Sequence, residues 1–149
     1  MYYQIQEGYF TLEGEWQDRS VNLLAAMHLP VAGANLVVTR EALPPGMGFH
    51  EYLTQQKKGL EKELSGFELL ADNQESLERV PARFLEFSWK NQGAGMHQML
   101  LVLDNGDQVL TLTATVPGDL NQETRDALLA AMMSFRFGIR QSMEEDGPR

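Results

Sequence analysis

Three runs of this chain are apolar at consecutive positions: Leu23-Leu24-Ala25-Ala26-Met27, Leu36-Val37-Val38 and Met99-Leu100-Leu101-Val102-Leu103. Read as strands, they send neighbouring side chains to opposite faces, so a sheet built from them is apolar on both sides. Residues 108–116 behave differently. There Leu110, Leu112, Ala114 and Val116 alternate with Thr111, Thr113 and Thr115, the pattern of a strand with one covered face and one wet one. A fold containing all of these must cover two apolar faces from its own chain or leave one to meet something else.

The cover available is two helices. Over residues 49–64 the apolar positions Phe49, Leu53, Leu60 and Leu64 recur at intervals of four or seven, one helical stripe that stops at Gly66. After Pro117-Gly118, either Asp119 or Asn121 can cap a second helix. Its buried stripe is predicted as Thr124, Ala127, Leu128, Ala131, Met132 and Phe135. Strands are expected from the aromatic-rich start (Tyr2, Tyr3, Ile5, then Tyr9, Phe10, Leu12), at 21–27, 36–39, 82–90, 97–104 and 108–116, with a short extended segment at 135–139 closing the domain. Asn105-Gly106 is a type I′ hairpin signal. Hairpins dominate, which predicts an α+β domain: a curved, mostly antiparallel sheet with two main helices packed on one face.

Composition bounds what such a domain does. With 149 residues and no internal repeat, the chain reads as one domain over 1–140, followed by an acidic tail at 141–149 expected to be disordered. Having no cysteine, it can form no disulfide, zinc finger or thiol nucleophile. The balance of 21 Asp and Glu against 12 Lys and Arg, net charge −9, opposes binding to nucleic acid or an anionic membrane surface. The few bases cluster only at Lys57, Lys58 and Lys62. His28, His50 and His97 lack metal-ligand spacing, and no GxSxG, P-loop or GxGxxG fingerprint is present. No enzyme activity, metal or cofactor is therefore expected. Residues 1–10 carry no basic or apolar leader, and nothing approaches the ~18 consecutive apolar residues of a membrane span. The expectation is a cytoplasmic protein with no direct membrane association.

The second apolar face has three readings. The two helices could cover one face each, a homodimer could bury it, or it could form a groove for an apolar segment of a partner. In the last case Asn22, Gln98 and the Thr111, Thr113, Thr115 row supply polar groups beside the aliphatics. Eight methionines suit a surface that adapts to unlike side chains, and the excess of carboxylates keeps a sticky domain in solution.

Several segments resemble the DcrB-related family. They are Glu7-Gly8-Tyr9-Phe10, Trp16-Gln17-Asp18-Arg19-Ser20-Val21-Asn22-Leu23-Leu24, Leu36-Val37-Val38-Thr39-Arg40, Pro81-Ala82, Leu110-Thr111-Leu112-Thr113 and Ser134-Phe135-Arg136-Phe137. The family's best-known members are the Eag chaperones of bacterial type VI secretion. The resemblance implies a Mog1p/PsbP-like fold, a homodimer, and a concave sheet that shields the amino-terminal transmembrane helices of a PAAR-containing effector and keeps it competent for loading on the secretion spike. It implies a client groove at Val21 and Leu23, with Leu36, Val38, Gln98 and Leu100 beside them, and no cofactor. A non-catalytic adaptor that binds a folded partner through exposed loops and charges such as Glu13, Glu15 and Asp18 is the other reading of such a fold.

Overall fold

The computed structural model describes residues 1–138. A small hairpin, β1 (Tyr2–Gln4) with β2 (Tyr9–Thr11), stands apart from a six-stranded sheet. That sheet contains β3 (Asn22–Ala25), β4 (Asn35–Ala42), β5 (Glu68–Leu77), β6 (Val80–Asn91), β7 (Ala94–Asn105) and β8 (Gln108–Pro117), in the order β3-β4-β8-β7-β6-β5 with every neighbour antiparallel. Helix α1 (Phe49–Glu63) links β4 to β5, and α2 (Gln122–Met133) follows β8. The architecture is α+β, with two helices on a curved antiparallel sheet.

The helices do not share a face. Met99, Leu101 and Leu103 of β7 join Leu110, Leu112, Ala114 and Val116 of β8, Phe84 and Ala82 of β6, and Leu128 and Met132 of α2 in the main core. The intervening residues Leu100 and Val102, with Val109, form a smaller core with Phe49, Tyr52 and Leu53 of α1. Five consecutive apolar residues in β7 thus feed two cores, one under each helix, because a strand alternates its side chains. The expected stripe of α2 is seated by Thr124, Leu128 and Met132, whereas Ala131 is exposed and Leu129 and Met133 pack at its margin. Asn121 caps α2, its side-chain oxygen accepting from the Thr124 N–H at 2.9 Å. In α1 the one fully buried residue is Tyr52, absent from the predicted stripe. Its phenol donates to Glu41 Oε2 at 3.1 Å, and burial together with that carboxylate pushes its pKa up to about 12.

Three further expectations are corrected. Strand β5 was not anticipated. A bulge between Leu69 and Ala71 shifts its alternation, and its inner positions include Asp72, held by Lys57 of α1 at 2.8 Å and Arg83 of β6 at 2.5 Å. The Arg83 bond, with help from Lys57 and against partial burial, holds the Asp72 carboxyl below its usual range. In the β7–β8 turn Asn105 pairs with Gln108, so the central residues are Gly106 and Asp107. Only Gly106, φ 77°, is left-handed, which is the type II′ arrangement and not I′. Residues 135–138 form no strand: Phe135 and Phe137 stack edge-on at 5.0 Å and pack on the main core, while the Phe137 N–H donates to Glu78 Oε1 at 2.9 Å. Residue 139 and the tail at 141–149 lie outside the described residues.

Helix α2 is also tied to the sheet by charge. Glu86 of β6, 7% exposed, accepts from Arg125 Nη2 at 2.7 Å and Nε at 3.0 Å, and shares a 2.6 Å hydrogen bond with His97 Nε2 of β7. The Arg125 bonds, opposed by burial and assisted by His97, hold the Glu86 carboxyl below its ordinary 4.5, and Glu86 in turn raises the pKa of Arg125. A carboxyl lowered on folding contributes stability that is present above its unfolded pKa and lost as pH falls through the folded value. Arg125→Met leaves Glu86 buried and unpaired by its main partner. It should cost about 3 kcal/mol at neutral pH and flatten the loss of stability on acidification below pH 4.5, both read by urea denaturation across pH. The β5–β6 turn offers an opposite test. Glu78 and Arg79 are its central residues with φ 50° and 69°, a type I′ pair without glycine or asparagine. Arg79→Gly should raise the urea midpoint, by roughly 0.5–1 kcal/mol of stability, since a side chain in the left-handed region costs about 1–2 kcal/mol and glycine's entropy offsets only part of that.

Candidate functional site

The register across the sheet defines what lies on the α1 face. One row runs Leu23, Val37, Thr113, Leu100, Leu85, Asp72, and the next runs Ala25, Asn35, Thr115, Gln98, Phe87, Leu69. A third row holds Thr39, Thr111, Val102 and Arg83. Helix α1 lies over the β5, β6 and β7 side, where Asp72, Val102 and Leu100 meet Lys57, Tyr52 and Leu53. Its first turns also reach Val109 of β8 and, through the Tyr52 phenol, Glu41 of β4, while over β3 it covers little. Leu23 is 67% exposed, and neither Leu23 nor Val37 packs into either core. The result is a half-roofed face, walled by α1 and floored by aliphatics alternating across strands with the threonine row of β8.

Of the six residues expected to line one groove, Leu23, Gln98 and Leu100 share this face. Val21, one residue before β3 and 60% exposed, continues its alternation onto it. Leu36 and Val38 do not belong here. They pair with Ala114 and Leu112 and pack against the main core on the α2 face. The reason is register: Leu23 stands opposite Val37, so the β4 residue that joins the groove lies one position along. Asn22, opposite Val38, likewise faces away from the groove. The residue missed was Val37, and its signal lay in the β3–β4 pairing, which spacing in one sequence does not set.

The start of β3 is set by a local turn. The Asp18 carboxylate accepts from the Ser20 N–H at 2.9 Å and from its hydroxyl, and these bonds, with Tyr3, hold the Asp18 carboxyl below its usual range. Ser20 also bonds the Tyr3 phenol at 2.9 Å and, through its carbonyl, Arg40 at 3.3 Å, joining the small hairpin to the sheet. Between hairpin and turn lies an apolar pocket of about 480 Å³ lined by Met1, Tyr3, Phe10, Leu12 and Trp16 among others. Tyr2, Tyr9, Phe10 and Trp16 are all more than half exposed.

At the other end of the face the polar groups are organised. Trp89 Nε1 donates to Gln98 Oε1 at 2.7 Å, and Gln98 Nε2 donates to Thr115 Oγ1 at 2.9 Å. Phe87, 1% exposed, is stacked beneath Phe67 at 5.2 Å. The arrangement offers apolar area and a few fixed hydrogen-bond groups. It brings no nucleophile beside a base: His97 is committed to Glu86 on the far face, and His28 and His50 stand elsewhere. Among the described residues no group of three or more His, Asp or Glu is placed to hold a metal ion, and no helix is long and apolar enough to cross a membrane.

Because Leu23 contributes almost nothing to either core, Leu23→Asp should change the stability of the free chain by no more than ~0.5 kcal/mol. Leu112→Ala, under α2, should cost about 2–5 kcal/mol. Urea denaturation of dilute protein measures both, and a large loss for Leu23→Asp would mean that the face is already filled.

The chain is 28% identical over 123 residues to a Pseudomonas aeruginosa PAO1 protein named Effector EagT6, covering 79% of this chain and 83% of that one. It superposes on the crystal structure of a Pseudomonas aeruginosa protein of unknown function, PA94, with a TM-score of 0.78 and 23% identity, over 94% of this chain and 98% of the other. That match shows the fold. The solution structure of cyanobacterial PsbP from Synechocystis sp. PCC 6803 overlaps less, with a TM-score of 0.46 and 11% identity over 74% of this chain and 75% of that one. The DcrB family model matches residues 7–134, which span β2, the whole six-stranded sheet and both helices, and the chain belongs to the DcrB family.

Proposed function

We propose that this protein is a non-catalytic cytoplasmic chaperone of a type VI secretion effector. It takes the effector's amino-terminal hydrophobic helices onto the open half of the α1 face and keeps the effector competent for loading on the secretion spike. The observation that carries the reading is the half-covered face: Val21, Leu23 and Val37 present aliphatic surface at one side of a roofing helix that packs on Leu100, with Thr111 and Thr113 between them. An apolar helix laid there removes that surface from water and meets polar groups able to answer its own. The relative named Effector EagT6 supports the assignment to effector traffic. Two copies acting together, faces turned toward one client, would enclose a helix that one open face only half covers.

The test is co-expression with a type VI effector's amino-terminal hydrophobic region, followed by co-purification without detergent. The wild type should keep the effector soluble and carry it through the column. Val21→Asp combined with Leu23→Asp places two carboxylates against the client, each costing at least ~1 kcal/mol to desolvate, and should lower recovery by about tenfold or more. An effector equally soluble without this protein, or a complex indifferent to both substitutions, would sink the proposal. Elution of the complex at the mass of two chaperone chains per effector checks the dimer.

A further inference from the structure

We propose that Trp89 is a positioning residue for client recognition. Its indole N–H fixes the Gln98 amide so that the open face offers a hydrogen-bond donor, which selects apolar helices carrying an exposed acceptor oxygen. The inference rests on the client reading above. A glutamine amide can be turned either way in its plane, but an indole N–H only donates, so the atom 2.7 Å from Trp89 Nε1 must be the amide oxygen. The reverse orientation would set two N–H groups against each other. With the oxygen held on the β6 side, Nε2 lies toward β8 and donates one of its hydrogens to Thr115 Oγ1 at 2.9 Å. Two neighbours in the sheet thus determine a third: Gln98 stands opposite Thr115 on β8 and diagonal to Trp89, which pairs with Met96 two residues earlier on β7.

What remains unspent on Gln98 is one N–H and one oxygen lone pair. The oxygen stands beside the Trp89 ring, under the β6 side of the face. The nitrogen stands beside Thr115, itself 8% exposed, and one row from Thr113, Val37 and Leu23, at the margin where the covered part of the face gives way to the open part. A helix lying on that row meets the nitrogen. Inside the covered groove an unanswered donor costs more than an exposed one, so a purely aliphatic helix is penalised and one bearing a side-chain carbonyl at this depth is favoured.

The experiment uses the full chain and two synthetic apolar helices of equal length, one with only Leu and Ala at its centre and one with a single central Asn. Binding is measured by tryptophan fluorescence and by calorimetry, and the Gln98 side-chain amide is followed by nitrogen-15 NMR. The wild type should bind the Asn helix about tenfold more tightly than the aliphatic one. Trp89→Phe should bring that ratio close to one with the affinity for the aliphatic helix unchanged, and should shift the Gln98 amide resonances in the absence of any peptide. Should Trp89→Phe fold poorly, 3-benzothienylalanine in place of Trp89 keeps the shape of the indole without its N–H and must give the same loss. A tenfold preference that survives either replacement overturns this inference and leaves the client reading standing. If neither helix binds the wild type, both fall.

Discussion

The alternation of side chains along β7 and β8 is the constraint on which the rest of the structure depends. These are the two central strands, and β7 is apolar at five successive positions, so each face of the sheet receives a row of aliphatics whatever else the chain does. On one face the row is completed by β4, β6 and β5 and sealed by α2, with only the β3 edge left bare, where Leu24 is 58% exposed. Leu101, Leu103, Leu112, Ala114 and Val116 lose essentially all contact with water there. On the other face β8 contributes threonines beyond Val109, β4 contributes Val37 between Asn35 and Thr39, and α1 seals the ground from Val109 to Asp72 but leaves Leu23 of β3 bare. One face is a finished core and its opposite is half of one.

The two helices are held in unequal ways. Helix α2 combines buried Leu128 and Met132, an Asn121 cap and the Arg125–Glu86–His97 network that bolts it to β6 and β7. Helix α1 has a single buried residue, Tyr52, no side-chain cap at Gly48, and the Lys57–Asp72 pair at its middle. That pair is partly buried, and just past the helix the Ser65 carbonyl accepts from the Lys90 N–H of β6 at 2.8 Å, so α1 is held by its first turns, its middle and its exit.

Much of the fold was legible in sequence. Both helices fall within a residue or two of their expected positions, and the strands of the second half lie where alternation and turn residues place them, because local periodicity reports local burial. Strand β5 was hidden because its bulge breaks the period and because Asp72 occupies an inward position that is satisfied by Lys57 and Arg83, partners 15 and 11 residues away. The face assignment of β4 was hidden for a related reason. A run such as Leu36-Val37-Val38 is apolar at every position, so it carries no phase, and only its pairing with β3 and β8 puts Val37 in the groove and Leu36 and Val38 in the core. The site was therefore readable as a surplus of apolar faces and readable residue by residue only where one strand alternates.

That alternating strand also explains how the open face tolerates both water and a partner. Threonine has nearly the shape of valine, with a hydroxyl in place of one methyl, and β8 places Thr111, Thr113 and Thr115 along the centre of the groove. Emptied, the half-buried Thr111 and Thr113 stay hydrated and do not drive collapse or sheet-on-sheet aggregation as valines would, whereas Thr115 is 8% exposed. Filled, each hydroxyl must find a bond or lose one, and Thr115 has already found Gln98. Thr111 and Thr113 are left to bond along the sheet or to the occupant. A surface of this kind would hold an apolar helix less tightly than an all-aliphatic floor and release it at a lower cost, as the proposed handing-on of a client requires. The net charge of −9 acts in the same direction, opposing unspecific aggregation of a protein with exposed aliphatic surface.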